Sequence, residues 1–255
     1  MLALVLWPFV LTGAMLLAHR AIRRRRPRLD PPSALPRQLL LLSAISIVSH
    51  PILDMLNTYG IRWLVPFSDR WFYGDILFIV DPWLWLILGV GVLLSRRATR
   101  PARIALGLAA GYTAMMAVSA LAARGETRRV IVQRTGEPVS ALMLSPVPAT
   151  PLQRTIVAAQ GDRYRVGPFR WLATPRIDPD SLRTFPRGDP DDPVVAAAVA
   201  TTLGRRFLSW ARFPSFHVES RGADRFVVHI VDLRYADRPG VRFGAVSIPV
   251  TLPAS

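Results

Sequence analysis

The sequence predicts a membrane all-α helical bundle of about four transmembrane helices, followed by a soluble α+β domain. Three observations carry this. The mean hydropathy of the 255-residue chain is +0.29. The apolar content sits in four blocks before Arg124. Beyond Arg124 the pattern changes to short, turn-punctuated runs. The predicted boundaries are a transmembrane helical domain over residues 1–124 and an extracytoplasmic α+β domain over 125–255.

Residues 1–18 contain no charge and are just long enough to cross a bilayer core of about 30 Å at about 1.5 Å per residue. A cleaved signal peptide would carry its basic residues before the apolar run. Here the arginines follow it, which predicts an uncleaved helix. Further apolar segments run over 35–56, 76–94 and 102–123. The loops 19–37 and 95–103 are dense in arginine, including Arg23-Arg24-Arg25-Arg26 and Arg96-Arg97. Loop 57–74 carries only Arg62 and Arg70, balanced by Asp69. By the positive-inside rule the arginine loops are cytoplasmic and the C-terminal domain lies outside, although Arg124, Arg128 and Arg129 follow segment four against that rule.

A net charge of +15 raises nucleic acid as a partner, but the arginine clusters lie between apolar segments, where they set topology instead. The predicted partners are therefore the lipid bilayer and a small-molecule or lipid substrate, with no nucleic acid. All 32 basic residues are arginine, which speaks of codon usage and not of chemistry. With no cysteine, disulfides and thiolate metal sites are excluded, so any metal is held by His, Asp or Glu.

In the C-terminal half, strands are predicted at 130–132, 141–144, 155–159 and 164–166, the last two joined by a Gln160-Gly161-Asp162 turn. A helix over 193–210 is opened by Asp191-Asp192 with proline at its start. Strands over 225–233 and 242–250 complete a helix on an antiparallel sheet.

Segment two carries the chemistry. At about 100° per residue, Ser43, Ser46, His50, Asp54 and Asn57 fall within an arc of about 80° on one helix face. His50 and Asp54 are one turn apart, a spacing by which one helix offers a nitrogen and a carboxylate to a single metal ion. Ionisable groups within a membrane segment cost about 2.5–3.5 kcal/mol on insertion scales and usually serve a cavity, ion or substrate. The plainer alternative is a His–Asp hydrogen bond that locks helix packing beside Pro51. Asp69, Asp75 and Asp81 cluster after this helix as further hard ligands, with an open position for water. Asp81 before Pro82 also fits a helix cap, and Asp69 beside Arg70 a loop ion pair. Trp71, Trp83 and Trp85 fit interfacial anchors. His19, His217 and His229 read as packing or surface residues, since no partner sits at ligand spacing. Nucleophile elbow, P-loop and dinucleotide fingerprints are absent, which removes serine hydrolase, ATPase and Rossmann readings.

Ser49-His50-Pro51-Ile52-Leu53-Asp54, Asn57-Thr58-Tyr59-Gly60, Asp69-Arg70-Trp71 and Phe78-Ile79-Val80-Asp81-Pro82 resemble the bacterial membrane-bound metal-dependent hydrolase family. Leu144-Ser145-Pro146, Asp162-Arg163-Tyr164 and Val231-Asp232-Leu233-Arg234 extend the likeness less specifically. The resemblance implies a multi-pass inner-membrane hydrolase using a divalent metal ion, with zinc a candidate. It implies His50 and Asp54 as metal positions, and Asp54, Asp69 and Asp81 as catalytic ones. The family also carries a His-Arg-Gly-Xaa-Thr-His stretch upstream of what is here segment one, so the resemblance implies further ligands and membrane sequence before Met1. Two other classes use the same stripe: an ion or proton transporter, and a non-catalytic membrane protein whose outer domain binds a partner.

Overall fold

The computed structural model describes residues 2–25, 35–96, 98–235 and 243–252. Residues 26–34 of the first arginine loop, Arg97 and the predicted strand start at Arg242 lie outside the described residues. The chain forms two compact units, residues 1–81 and 82–255.

The first unit holds helices α1 (Leu2–Arg25) and α2 (Pro36–Leu56) and the loop that follows them. Their packing is tied at Thr12, whose hydroxyl donates to its own helix at the Pro8 carbonyl and lies 3.2 Å from Ser43 Oγ of α2. Ser43, the first residue of the polar stripe, is thereby a helix-contact residue. Proline at the first position starts α2, and Pro51 within it leaves the Ile47 carbonyl without its usual partner.

The second unit opens with α3 (Pro82–Leu94) and α4 (Arg100–Thr135). They pack closely where Gly91 lies against Ala105; a Cβ added to Gly91 would sit 2.3 Å from the Ala105 Cβ. Among the described residues three helices, not four, are long and apolar enough to cross a membrane: α1, α2 and α4. The third predicted segment falls short because only its last 13 residues are helical, about 20 Å. Its first residues take another role. The Ile76 and Leu77 N–H groups bond to the Leu56 carbonyl and cap the end of α2.

Helix α4 runs 36 residues, about 54 Å, and does not stop at Ala123. Residues 130–132, predicted as a strand, are its last turns. Met116, Ala120, Ala123, Thr127 and Ile131 recur at helical spacing and are all buried. Gly136, at φ 73°, closes the helix in the left-handed region with its N–H on the Val132 carbonyl. The β-branched run favours strand locally, but a helix brings Ile131 onto the sheet.

That sheet has four antiparallel strands in the order β1 (Ala141–Val147), β2 (Thr150–Gln160), β3 (Arg163–Arg170) and β4 (Arg183–Pro186). Leu144, Ile156, Ala158 and Phe169 on one face pack with Ala123 and Ile131 of α4. Met143, Val157, Tyr164 and Val166 on the other face pack with Phe213 and Leu233. Both faces are covered, so the end of β2 is buried continuously and shows no alternation.

The predicted helix over 193–210 is two helices, α5 (Pro193–Ala200) and α6 (Thr202–Leu208). Asp192 caps α5 by accepting from the Val194 and Val195 N–H groups at 2.7 and 3.3 Å. Thr201 breaks the pair. Its hydroxyl donates to the Ala198 carbonyl at 2.7 Å and accepts from the Gly204 N–H at 3.0 Å. A Cβ on Gly204 would lie 2.3 Å from the Ala198 carbonyl oxygen, so the turn requires glycine. Both helices cover one face of a second antiparallel sheet, β5 (Pro214–Ser220), β6 (Arg225–Asp232) and β7 (Ala245–Thr251). Strands β4 and β5 were not predicted.

Candidate functional site

The candidate site begins with α2. His50 and Asp54 are neighbours on it, with Nε2 and Oδ2 3.4 Å apart and side chains 80% and 41% exposed. They lie roughly 21 and 27 Å along the helix from Pro36, in its last two turns. That depth is close to the far side of a bilayer core of about 30 Å. The pair lies in the half of α2 away from Pro36, with Asp54 nearer the helix end than His50.

The chain after α2 folds back onto the helix end. Asn57 is buried, and its side-chain oxygen accepts from the Tyr59 and Gly60 N–H groups at 2.7 and 3.3 Å, setting the turn. Gly60, at φ 75°, lies so close to Tyr73 and the Phe72 carbonyl that no side chain fits. Ile61 and Phe72 pair as a short antiparallel bridge. The returning strand then delivers the Gly74 N–H to the Met55 carbonyl at 2.7 Å.

This fold places the three later aspartates differently. Asp75 and Asp81 are buried, Asp75 at φ 54° with its N–H directed at the Asn57 carbonyl. Asp69 is 91% exposed and pairs with Arg62 at 3.1 Å. The Arg62 guanidinium in turn lies over the Trp71 ring, which stacks on Tyr73. Arg62 is thus the loop partner of Asp69, in place of the adjacent Arg70. Among the described residues no group of three or more His, Asp or Glu side chains converges as a metal site. His50 and Asp54 have the right donor chemistry for a divalent ion, but two donors are fewer than the three that a protein supplies to a catalytic zinc. The described residues do not fit a complete metal centre.

Residues 1–123 match the YdjM inner membrane protein family. The YdjM match covers α1 to α3, the His50–Asp54 pair and the apolar part of α4, just under half of the chain. Together with the three helices of spanning length it marks a membrane protein of a bacterial inner-membrane type. No curated protein and no solved structure shows a significant match.

The sheets also assemble a polar cluster that sequence spacing hid. On the exposed face of β5, β6 and β7, His229 bonds through Nδ1 to Ser247 Oγ at 2.8 Å and through Nε2 to Glu219 Oε2 at 3.1 Å. His217 stacks on the His229 ring, and Arg221 pairs with Glu219 at 3.0 Å. The signal was the register: His217, His229 and Ser247 are direct cross-strand partners. The hydrogen bond from His229, helped by the Arg221 charge, holds the Glu219 carboxyl below its ordinary value. A depressed carboxyl stabilises the fold above the unfolded-state pKa of about 4.3, and that contribution is lost as pH falls through the lowered folded value. Glu219→Gln is expected to flatten this acid limb. Thermal midpoints between about pH 6 and about pH 3 check it, with a smaller drop in the variant than in the wild type.

Proposed function

We propose that the chain is a membrane-bound hydrolase whose reacting groups are His50 and Asp54, acting on a phosphoester or lipid head group at the membrane surface. The observation that carries this is the openness of the pair. A histidine and a carboxylate one turn apart, 80% and 41% exposed at the end of an apolar helix, are displayed instead of packed. A pair serving only as a helix lock would be buried, as the Thr12–Ser43 contact is.

In this reading Asp54 orients the His50 ring, and neutral His50 accepts the proton of the attacking water and returns it to the leaving oxygen. His50 and Asp54 are two donors, so in this reading the proton transfer runs on the pair itself. Arg37 stands at the start of α2, which by the positive-inside rule supports a cytoplasmic start for that helix and an outer position for His50 and Asp54 at its other end.

Full-length protein in detergent is assayed on a phosphoester and carboxylester panel, with metal content measured in parallel. His50→Ala and Asp54→Ala are each expected to lower kcat/KM by about 10²- to 10⁴-fold on any ester that the wild type cleaves. Unchanged turnover in both variants sinks the hydrolase reading. Proton flux in liposomes that Asp54→Asn abolishes, with no ester cleaved, replaces it by transport.

A further inference from the structure

We infer that one edge of the four-stranded sheet, built from the β1–β2 hairpin tip at 147–153 and the loop at 170–176, rests in the phospholipid head-group layer of the membrane that α4 crosses.

The direction of the sheet along α4 is fixed by hydrogen bonds. At one end Arg154 donates to the Met116 carbonyl at 3.0 Å and Trp171 Nε1 donates to Ser119 Oγ at 2.8 Å. At the other end Gln160 Nε2 donates to Thr135 Oγ1 at 2.8 Å. Strand β2 therefore runs alongside the helix, with residues 150–154 towards its apolar part and Gln160 towards its polar end.

The helix sets the height of that edge. Its outward apolar side chains continue through Met115, Val118 and Leu121, which are 53%, 67% and 67% exposed. Ser119, bonded to Trp171, sits between the last two. Only beyond them do Arg124, Glu126, Arg128 and Arg129 appear. The sheet edge is thus level with side chains that need lipid.

The edge is itself suited to that layer. Leu172 is 84% exposed and Leu152 46% exposed. The Trp171 N–H donates to the Leu152 carbonyl at 3.0 Å, which joins the two loops into one border. Arg170 is exposed beside them, a donor for lipid phosphate, and Trp171 has the amphipathic ring common at membrane interfaces. Trp83, at the start of α3, donates to the Ala149 carbonyl at 3.2 Å and brings a second tryptophan to the hairpin tip. The opposite edge carries the Gly161-Asp162 turn, exposed and polar.

The chain has no cysteine, so single labels need no background removal. Leu172→Cys, Leu152→Cys and Asp162→Cys are each labelled with a nitrobenzoxadiazole probe. The full chain is then reconstituted into vesicles of phosphatidylcholine and phosphatidylglycerol. The expected result is blue-shifted emission at 172 and 152, quenching there by doxyl-labelled lipid, and iodide quenching several-fold weaker than at 162. Iodide quenching at 172 and 152 equal to that at 162, with no effect of doxyl lipid, overturns the inference. Lipid quenching at all three positions overturns it as well, because the domain would then lie on the bilayer without a preferred edge.

Discussion

Asp232→Ala is expected to destabilise the sheet domain by about 3–5 kcal/mol, the usual cost of breaking a buried ion pair by removing one partner. Asp232 and Arg234 are 0% and 2% exposed and meet at 2.7 Å. The carboxylate also accepts from the Arg212 and Arg234 backbone N–H groups at 2.9 and 3.1 Å. Arg234 donates onward to the Trp210 carbonyl and lies between the Trp210 and Tyr235 rings. One residue therefore joins the end of β6 to the segment that enters β5. Its loss strands a buried guanidinium and two backbone donors, and against a typical stability of about 5–15 kcal/mol that is a large fraction. Near-UV circular dichroism on heating should show a midpoint lower by about 10 °C or more. Replacing Asp232 with Leu and Arg234 with Met together should cost less than Asp232→Ala alone, since no charge is left unpaired. A double variant as unstable as the single one would show that the packing, and not the stranded charge, sets the loss.

Arg154→Ala is expected to cost a comparable roughly 3–5 kcal/mol through a different route. Arg154 is fully buried between β2 and α4, and its guanidinium donates to the Leu144 and Met116 carbonyls. Alanine removes the strut between sheet and helix and opens a void the size of its side chain. The sheet should loosen from α4 while the helix stays in the membrane. Limited proteolysis checks this: faster cleavage near 136–140, where the chain passes from helix to sheet, with the α4 fragment retained in the membrane fraction. An unchanged cleavage pattern would mean that Arg154 does not hold the two together.

The arginines that follow the apolar part of α4 fit the same picture. Arg134 forms a two-pronged pair with Asp180 at 2.9 and 3.0 Å, Arg128 donates to the Val139 carbonyl at 3.0 Å, and Glu126 pairs with Arg176. Arg128 and Arg134 are thus packing residues on an extended helix. The positive-inside rule concerns charges in short loops that flank a span.

The sequence by itself determined the apolar stretches, the His50–Asp54 juxtaposition, the Asp192 cap and the turn at Gly161. Each depends on a few neighbouring residues: hydropathy over a window, one helical turn, or one hydrogen-bonded cap. Tertiary structure decided the rest. It drew residues 130–132 into α4 because a helix alone brings Ile131 to the sheet, and it shortened the third span by using Ile76 and Leu77 to cap α2. It gave Asp69 to Arg62, buried Arg154 against a helix 38 residues away, and set Ser247 and Glu219 on either side of His229. These outcomes depend on which distant segment arrives as partner, and local periodicity carries no information about that.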